Sequence, residues 1–549
     1  MRARFVQTPS PFHRCLAWSR RHPADAGFIA ASGGLVVLGF FLRSNGFWFH
    51  PLGLWGDESF LALGLSRQSI GEMVMRPVGF TGFAKLCTAW FGYDERTLRL
   101  LSYLTSVAML LVAPFAGRYA FKSRLTAALL VALVALHPAL IDYAKEFKPY
   151  ATETFVHFGL VTLLLAYWKS RSRAVLYGLA VAAPLGFLFA YNAIFLYPAL
   201  FLLWGIDVLR ARQFSRLWVI VPSAVACLVA PAILYAVAWS SLDKGEEEGF
   251  WGQKYNAFYL DEGEDRTPET RVDWVLKRYS NIVAMPGMDS RRWPSMTEDD
   301  TGRNLKDAWY YLWVALHVGG IASLVNRKRY EFVTLLVLPL LVALGFNQLG
   351  RWPFNSFRVN LFMLTYLLFV ACAVFDGFVT SHRRWVSRSG RVAAVALVCL
   401  PYVLFGFDWH WDKSYWTTST DMVTAMNRIR EEREKILERE PGAPPETILL
   451  DAYSCGPMKY YSTLDTKSLR RHGDFFGRNF TLLCPGSKLV KQARKQEQPF
   501  WVMLAMGADG NRAKVRTLKK SGKIRVDFTP CRAQRVLRLV PKRRRSKRD

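Results

Sequence analysis

Residues 125–150 read Leu-Thr-Ala-Ala-Leu-Leu-Val-Ala-Leu-Val-Ala-Leu-His-Pro-Ala-Leu-Ile-Asp-Tyr-Ala-Lys-Glu-Phe-Lys-Pro-Tyr. The run is apolar almost throughout as far as Ile141, and then Asp142, Lys145, Glu146 and Lys148 arrive together before Pro149. A bilayer-spanning helix needs about 20 mostly apolar residues, so the stretch reads as a membrane span that delivers a charged cluster to a membrane surface. Proline disfavours helical geometry at the residue before it, so the chain is expected to break at Lys148 rather than continue as one helix.

Working outward, comparable apolar stretches lie near 27–43, 99–117, 153–168, 174–189, 193–209, 217–240, 308–325, 331–347, 359–378 and 392–407. With 125–141 they make about eleven spans. The composition agrees, because 51% of the 549 residues are hydrophobic and 14% aromatic, and the mean hydropathy is +0.09. Lys and Arg accumulate in cytoplasmic loops, and every second connection is basic. The series runs from Arg2, Arg4, Arg14, Arg20 and Arg21 through Arg118/Lys122/Arg124, Lys169/Arg171/Arg173, Arg210/Arg212/Arg216 and Arg327/Lys328/Arg329 to Arg383/Arg384/Arg388/Arg391. The alternate connections carry Asp57, Glu58, Asp142, Glu146 and the acidic run Asp243 to Asp265. The expected protein is a polytopic α-helical membrane protein with a cytoplasmic N-terminus. Its tail then lies outside, and a bacterial inner (plasma) membrane is the expected location. The N-terminus has no short apolar core followed by a small-residue cleavage site, so no removable signal peptide is expected.

Residues 1–411 read as the membrane domain, with outer loops near 44–98 and 241–306, and 412–549 as a soluble extracytoplasmic domain. In the first loop Phe60, Leu61 and Leu65, then Phe80, Phe83, Leu86 and Trp90, recur at helical spacing, which predicts one or two helices lying on the membrane. In the tail an amphipathic helix is expected over 420–439 and strands over 447–453 and 499–506, hence a small α/β domain. The closing run from Arg543 to Arg548 is expected to be disordered. The full chain carries +29, of which about +16 falls after Trp411. Outside a membrane, that charge suits anionic lipid headgroups or an acidic glycan rather than nucleic acid, with a merely solvated basic surface as the alternative. Of the eight cysteines, Cys455, Cys484 and Cys531 share the tail, where an oxidising compartment allows one disulfide; the spacing does not choose the pair. None of the cysteines has metal-ligand spacing.

Four polar clusters sit at expected outer helix ends: Asp57/Glu58, the 142–153 stretch, Tyr191/Asn192 and Arg351 to Arg358. An aspartate at the first could act as general base towards an acceptor hydroxyl; alternatively Asp57 caps the helix that follows, with Glu58 in its first turn. Glu146 and Lys148 could orient and hold a phosphate, or be interfacial charge with a snorkelling lysine. Arg358 could grip a phosphate with its planar fork, or snorkel likewise.

In chain order the sequence presents Asp57-Glu58, Phe91-Gly92 with Thr97-Leu98-Arg99-Leu100, Tyr143-x-x-Glu146-x-Lys148-Pro149-Tyr150 and Trp352-Pro353-Phe354-x-x-x-Arg358. This ordered set resembles the C-type (GT-C) glycosyltransferases related to protein O-mannosyltransferases and the lipid A aminoarabinose transferase. The resemblance covers most of the membrane region. It implies a GT-C-like fold and transfer of a sugar from a polyprenyl-phosphate carrier to a glycan, lipid or protein acceptor outside the cytoplasm. Asp57 falls at the position of the base, with Glu58 beside it. Glu146, Lys148, Tyr150, Asn192 and Arg358 become candidates for the donor phosphate and sugar. Where relatives show an arginine in the Glu-x-Arg-Pro-Tyr element, this chain has Lys148, which keeps the charge and loses the fork. No cofactor is required, although hard oxygen ligands at Asp57 and Glu58 would suit magnesium or calcium.

Three other readings compete. A transporter or flippase would show internal repeats and midplane charges. A ligase or polymerase using a lipid-diphosphate donor would want more cationic outer loops, as the basic tail provides. A non-enzymatic assembly factor on a decayed scaffold fits poorly with intact Asp57, Glu146 and Arg358. A cytoplasmic nucleotide-sugar transferase is disfavoured by short basic inner loops without a glycine-rich phosphate loop.

Overall fold

The computed structural model describes residues 21–48, 54, 56–73, 76–237, 271–284, 300–354, 358–405, 417–450, 452–463, 475–476, 478–485, 488–505, 515–519, 522–531 and 534–541. Trp55, most of the expected outer loop 241–306 and the closing basic run lie outside the described residues. The chain divides into two compact units: residues 1–43, 104–144 and 149–407 form one, and residues 44–103, 145–148 and 408–549 the other.

Helices occupy all eleven expected span positions. Among the described residues six are long and apolar enough by themselves to cross a membrane: Pro23–Ser44, Glu95–Ala120, Phe214–Val237, Asp307–Asn326, Tyr330–Gln348 and Val359–Val379. Arg124–Leu136 and Arg173–Phe189 are apolar but shorter. The first of these is cut short by its own His137-Pro138 sequence. Pro138 has no N–H to offer the carbonyl of Val134, so the helix stops at Leu136 and a separate turn, Pro138–Tyr143, follows. The carbonyls left over must find donors. Arg43, fully buried, supplies them: Nη2 donates to Val134 O at 2.8 Å and Nη1 to Ala135 O at 2.9 Å, while Nε reaches Ser106 Oγ at 2.8 Å. One arginine thus ties three helices together where a proline broke one of them.

The basic connections meet at one end of this unit. Arg124 Nε bonds Asp25 Oδ1 at 2.7 Å, and Arg329 Nη1 donates to Ala120 O at 2.7 Å. Asp376 accepts from Ser123 N at 3.0 Å and from Arg327 Nη1 at 2.5 Å. Lys169 Nζ reaches Arg118 O at 3.1 Å, Asp207 pairs with Arg171 and with Arg216, and Arg210 pairs with Glu331. Helices also approach closely where side chains vanish: a Cβ on Gly320 would lie 2.1 Å from the Val370 carbonyl oxygen on the Leu364–Val379 helix.

In the second unit the connection expected near 44–98 holds helices Gly56–Arg67 and Val78–Phe91, as its spacing predicts. Between them Ser69 and Glu72 form a reciprocal turn, Ser69 N to Glu72 Oε2 at 2.5 Å and Glu72 N to Ser69 Oγ at 3.3 Å. The Ser69 amide holds the Glu72 carboxyl below the usual carboxylate range. Leu86, Trp90 and Phe91 remain exposed on the second helix, which ends where Gly92 takes φ +82°, a conformation that suits glycine.

The tail is an α/β arrangement. Helix Thr417–Arg439 precedes five strands, β1 (Glu446–Leu450), β2 (Phe480–Leu483), β3 (Phe500–Ala505), β4 (Gly522–Cys531) and β5 (Gln534–Pro541), in the sheet order β2-β1-β3-β5-β4. β1 runs parallel to β2 and β3, and β5 antiparallel to β3 and β4. Leu449, Phe500, Val502, Leu504, Leu537 and Leu539 make the core under one face. Glu446 is buried at the start of β1 and is held by Trp501 Nε1 at 2.6 Å and Arg538 Nη2 at 2.5 Å, with Arg433 Nη1 at 3.6 Å. Helix Ala452–Thr463 follows β1, and its Cys455 is disulfide-bonded to Cys484 at the end of β2.

Candidate active site

Asp57 and Glu58 occupy the first turn of the Gly56–Arg67 helix, where the helix dipole favours carboxylates. Their surroundings differ. Glu58 is fully buried, and Arg99, also buried, grips it with both prongs, Nε to Oε1 at 2.9 Å and Nη2 to Oε2 at 2.6 Å. Arg99 is placed by the start of its own helix, where Asp94 Oδ1 accepts from the amides of Arg96 at 2.7 Å and Thr97 at 2.9 Å. The Phe147 amide also donates to Glu58, and Ser102 Oγ donates to the Lys148 carbonyl at 2.8 Å. The Phe147 ring stacks on Phe80 with centroids 5.6 Å apart.

Glu58 therefore braces three segments, and the brace sets the next contact. Lys148, only 8% exposed, brings Nζ to 3.6 Å from Asp57 Oδ2, and the Asp57 side chain is 40% exposed. The result is an accessible carboxylate beside a nearly buried cation. The two adjacent carboxylates differ in their contacts: Glu58 is held by Arg99 and a backbone amide, and Asp57 faces outward. Glu146 is buried, 1% exposed.

The remaining candidates belong to the other unit. Tyr150 opens the Tyr150–Ser170 helix and meets Tyr143 edge-on, centroids 5.5 Å apart. Asn192 is buried, and its Oδ1 accepts from His157 Nε2 at 3.1 Å, leaving His157 Nδ1 to accept from the Tyr366 hydroxyl. That chain of bonds lies inside the helices and makes Asn192 a member of a core network. Arg358 begins the 3-10 turn Arg358–Met363, and its side chain lies outside the described residues. The preceding Trp352-Pro353 is fixed by Asn360, which accepts from Trp352 Nε1 at 2.7 Å and donates to Pro353 O at 2.8 Å.

No protein-family model and no curated protein matches the chain in sequence. Among solved structures it is similar to ArnT from Cupriavidus metallidurans bound to undecaprenyl phosphate, with 13% identity over 93% of this chain and 98% of that chain and a TM-score of 0.45. The apo state of the same protein gives 13% identity over 94% and 98%, with a TM-score of 0.46. An archaeal oligosaccharyltransferase, AglB from Archaeoglobus fulgidus in complex with an inhibitory peptide and a dolichol-phosphate, gives 11% identity over 93% and 74%, with a TM-score of 0.42. These neighbours are GT-C glycosyltransferases.

The Glu58 oxygens are taken by Arg99 and the Phe147 amide, so a divalent cation at this turn would have Asp57 as its protein carboxylate; among the described residues no group of three or more His, Cys, Asp or Glu side chains gathers to hold a metal. Arg99 belongs to the ordered motif set, but the sequence assigns it no role in the site. It was visible as an arginine one turn into a long apolar helix, a position that demands a buried partner, but the partner lies 41 residues earlier in the chain.

Proposed function

We propose that this protein is an inverting glycosyltransferase of the membrane that moves a sugar from a polyprenyl-phosphate carrier to a glycan, lipid or protein acceptor on the outer face. The observation that carries the proposal is the Asp57–Lys148 pair, an exposed carboxylate and a cation 3.6 Å apart, braced from behind by buried Glu58 and Arg99. The ordered motifs around these residues support the same reading. In the mechanism Asp57 accepts the proton of the acceptor hydroxyl, and the freed oxygen attacks the anomeric carbon. The bond from that carbon to the phosphate oxygen breaks on the opposite face. The polyprenyl phosphate leaves with the electron pair, inverting the anomeric configuration. Lys148 supplies positive charge towards that phosphate and, by resting on Asp57 beforehand, keeps the base oriented. Arg358 is proposed from its motif as the phosphate's second cation.

The test uses full-length protein in lipid nanodiscs with a panel of polyprenyl-phosphate sugars. Asp57→Asn should lower kcat by about 100-fold or more while leaving donor binding unchanged. Arg358→Ala should instead raise the apparent donor KM. Activity within a few-fold of wild type for Asp57→Asn removes that residue from the role. Turnover confined to lipid-diphosphate donors would make the protein a ligase or polymerase instead.

A further inference from the structure

Two long 3-10 turns, Tyr191–Phe195 and Arg358–Met363, interrupt the helices of the first unit. At five and six residues they outrun the length at which that geometry usually stops, so more than their own hydrogen bonds must hold them. His157 stands between them. It lies on helix Tyr150–Ser170, fully buried, and both of its ring nitrogens are used. Nε2 donates to Asn192 Oδ1 in the first turn at 3.1 Å, and Nδ1 accepts from the hydroxyl of Tyr366, just beyond the second. The imidazole also lies against Phe362 of the second turn, ring centroids 4.5 Å apart. The turns meet directly as well: Phe195 stacks on Phe362 at 5.8 Å, and Trp352 meets Phe195 edge-on at 5.1 Å and Phe362 at 6.3 Å. Asn360, inside the second turn, takes the Trp352 indole N–H and donates to Pro353 O.

A buried imidazole is costly unless its nitrogens are satisfied, and an apolar side chain would fill the same space without that demand. Here each of the three contacts falls on one of the turns or within three residues of one, and the second turn opens with Arg358. We infer that His157 is a positioning residue for Arg358. It fixes the Arg358–Met363 turn through Tyr366 and Phe362, with Asn192 and the Tyr191–Phe195 turn as its anchor. A guanidinium grips phosphate at two points in a fixed plane, so the direction in which the turn presents Arg358 bears on donor affinity. His157 itself is enclosed by the helices and acts through the turn, not on the donor. Loss of its bonds therefore weakens donor binding and spares the chemical step. Asn192 gains a part in donor recognition by the same path, as an anchor rather than a ligand. The effect on the donor rests on Arg358 being the phosphate's second cation; the hold on the turn does not.

The test has two arms on full-length protein in lipid nanodiscs. Tyr366→Phe removes one hydroxyl, and His157→Phe keeps a ring against Phe362 while removing both bonds; if His157→Phe does not fold, Tyr366→Phe carries both arms. In the first arm, hydrogen exchange without substrate should quicken by about ten-fold over 358–363 in each variant and stay as in wild type over 217–237. Wild-type exchange over 358–363, or equal quickening in both segments, overturns the inference whatever the activity. In the second arm, each variant should raise the apparent donor KM by about ten-fold while kcat stays within about two-fold of wild type. Added to Arg358→Ala, which has already lost the grip, the same replacements should raise KM by less than about two-fold more, because two steps of one path do not add. Where Arg358→Ala does raise KM, an unchanged KM in Tyr366→Phe, or full additivity with Arg358→Ala, overturns the inference. If Arg358→Ala leaves the donor KM unchanged, or wild-type protein transfers no sugar at all, the reading of Arg358 fails, and the exchange arm alone decides whether His157 holds the turn.

Discussion

Neighbouring residues on a helix point about 100° apart, and at the start of the Gly56–Arg67 helix that rotation separates two chemistries. Glu58 turns inward to a bidentate arginine, and Asp57 outward to a lysine. A buried ion pair contributes little net stability over an apolar pair of the same size, yet removing one partner leaves a charge in the core. Glu58→Gln should therefore destabilise the fold by about 3 kcal/mol, read as a lowered denaturation midpoint in detergent. The double replacement Glu58→Leu with Arg99→Met should recover most of that loss. Its activity should stay low, since the Phe147 amide then has no acceptor and Lys148 loses its seat. A double variant as unstable as the single one would count against the brace. At this scale the sequence was half legible: Asp57 stood out by its place after the first span, whereas the division of labour within Asp57-Glu58 depended on Arg99, which no local pattern links to residue 58.

Elements were read more reliably than their partners. The helical spacing of Phe60, Leu61, Leu65 and of Phe80, Phe83, Leu86, Trp90 gave two real helices, the apolar run over 499–506 holds β3, and that over 447–453 holds β1 only as far as Leu450, with a helix already under way at Ala452. β2, β4 and β5 were missed. β4 and β5 form an antiparallel ladder in which Lys523, Arg525, Arg535 and Arg538 interrupt the apolar residues, so the pattern looks like charged surface. Helix crossings were equally hidden. In a bilayer, association depends on close packing more than on water, and small residues set the distance. Gly320→Ala places a methyl group against the Val370 backbone and should destabilise the protein by about 1–3 kcal/mol. Gly345→Ala is the control, because nothing lies within 4 Å of its added Cβ. Equal midpoints for the two variants would show that the Gly320 contact is not tight.

At the scale of the molecule, the alternation of charge along the sequence and the hydrogen bonds of the fold speak to the same question. The loops around Arg124, Lys169, Arg216 and Arg329 contact one another or one another's neighbours, so they share one end of their unit, as alternate loops of a serpentine chain must. Bonds within that end do not say which side of a membrane it faces. The charge rule gives an expectation: short Lys- and Arg-rich connections stay in the cytoplasm, and the eleven spans expected from the sequence would then put the tail outside. A count differing by one helix would reverse the tail without moving the basic loops. The disulfide between Cys455 and Cys484 fits an oxidising compartment. Two reporters separate these outcomes. With Cys15, Cys531 and exposed Cys399 changed to Ser, a cysteine replacing exposed Lys495 in the tail should react with a membrane-impermeant maleimide in cells whose outer barrier is opened. A cysteine replacing exposed Lys328 should react only after the inner membrane is broken. Labelling of both positions from outside would overturn the orientation of the basic loops. Labelling of neither would leave those loops cytoplasmic and bring the tail inside with them, breaking the count of spans and placing the Asp57 helix, on which the tail packs, on the wrong side for an extracytoplasmic acceptor.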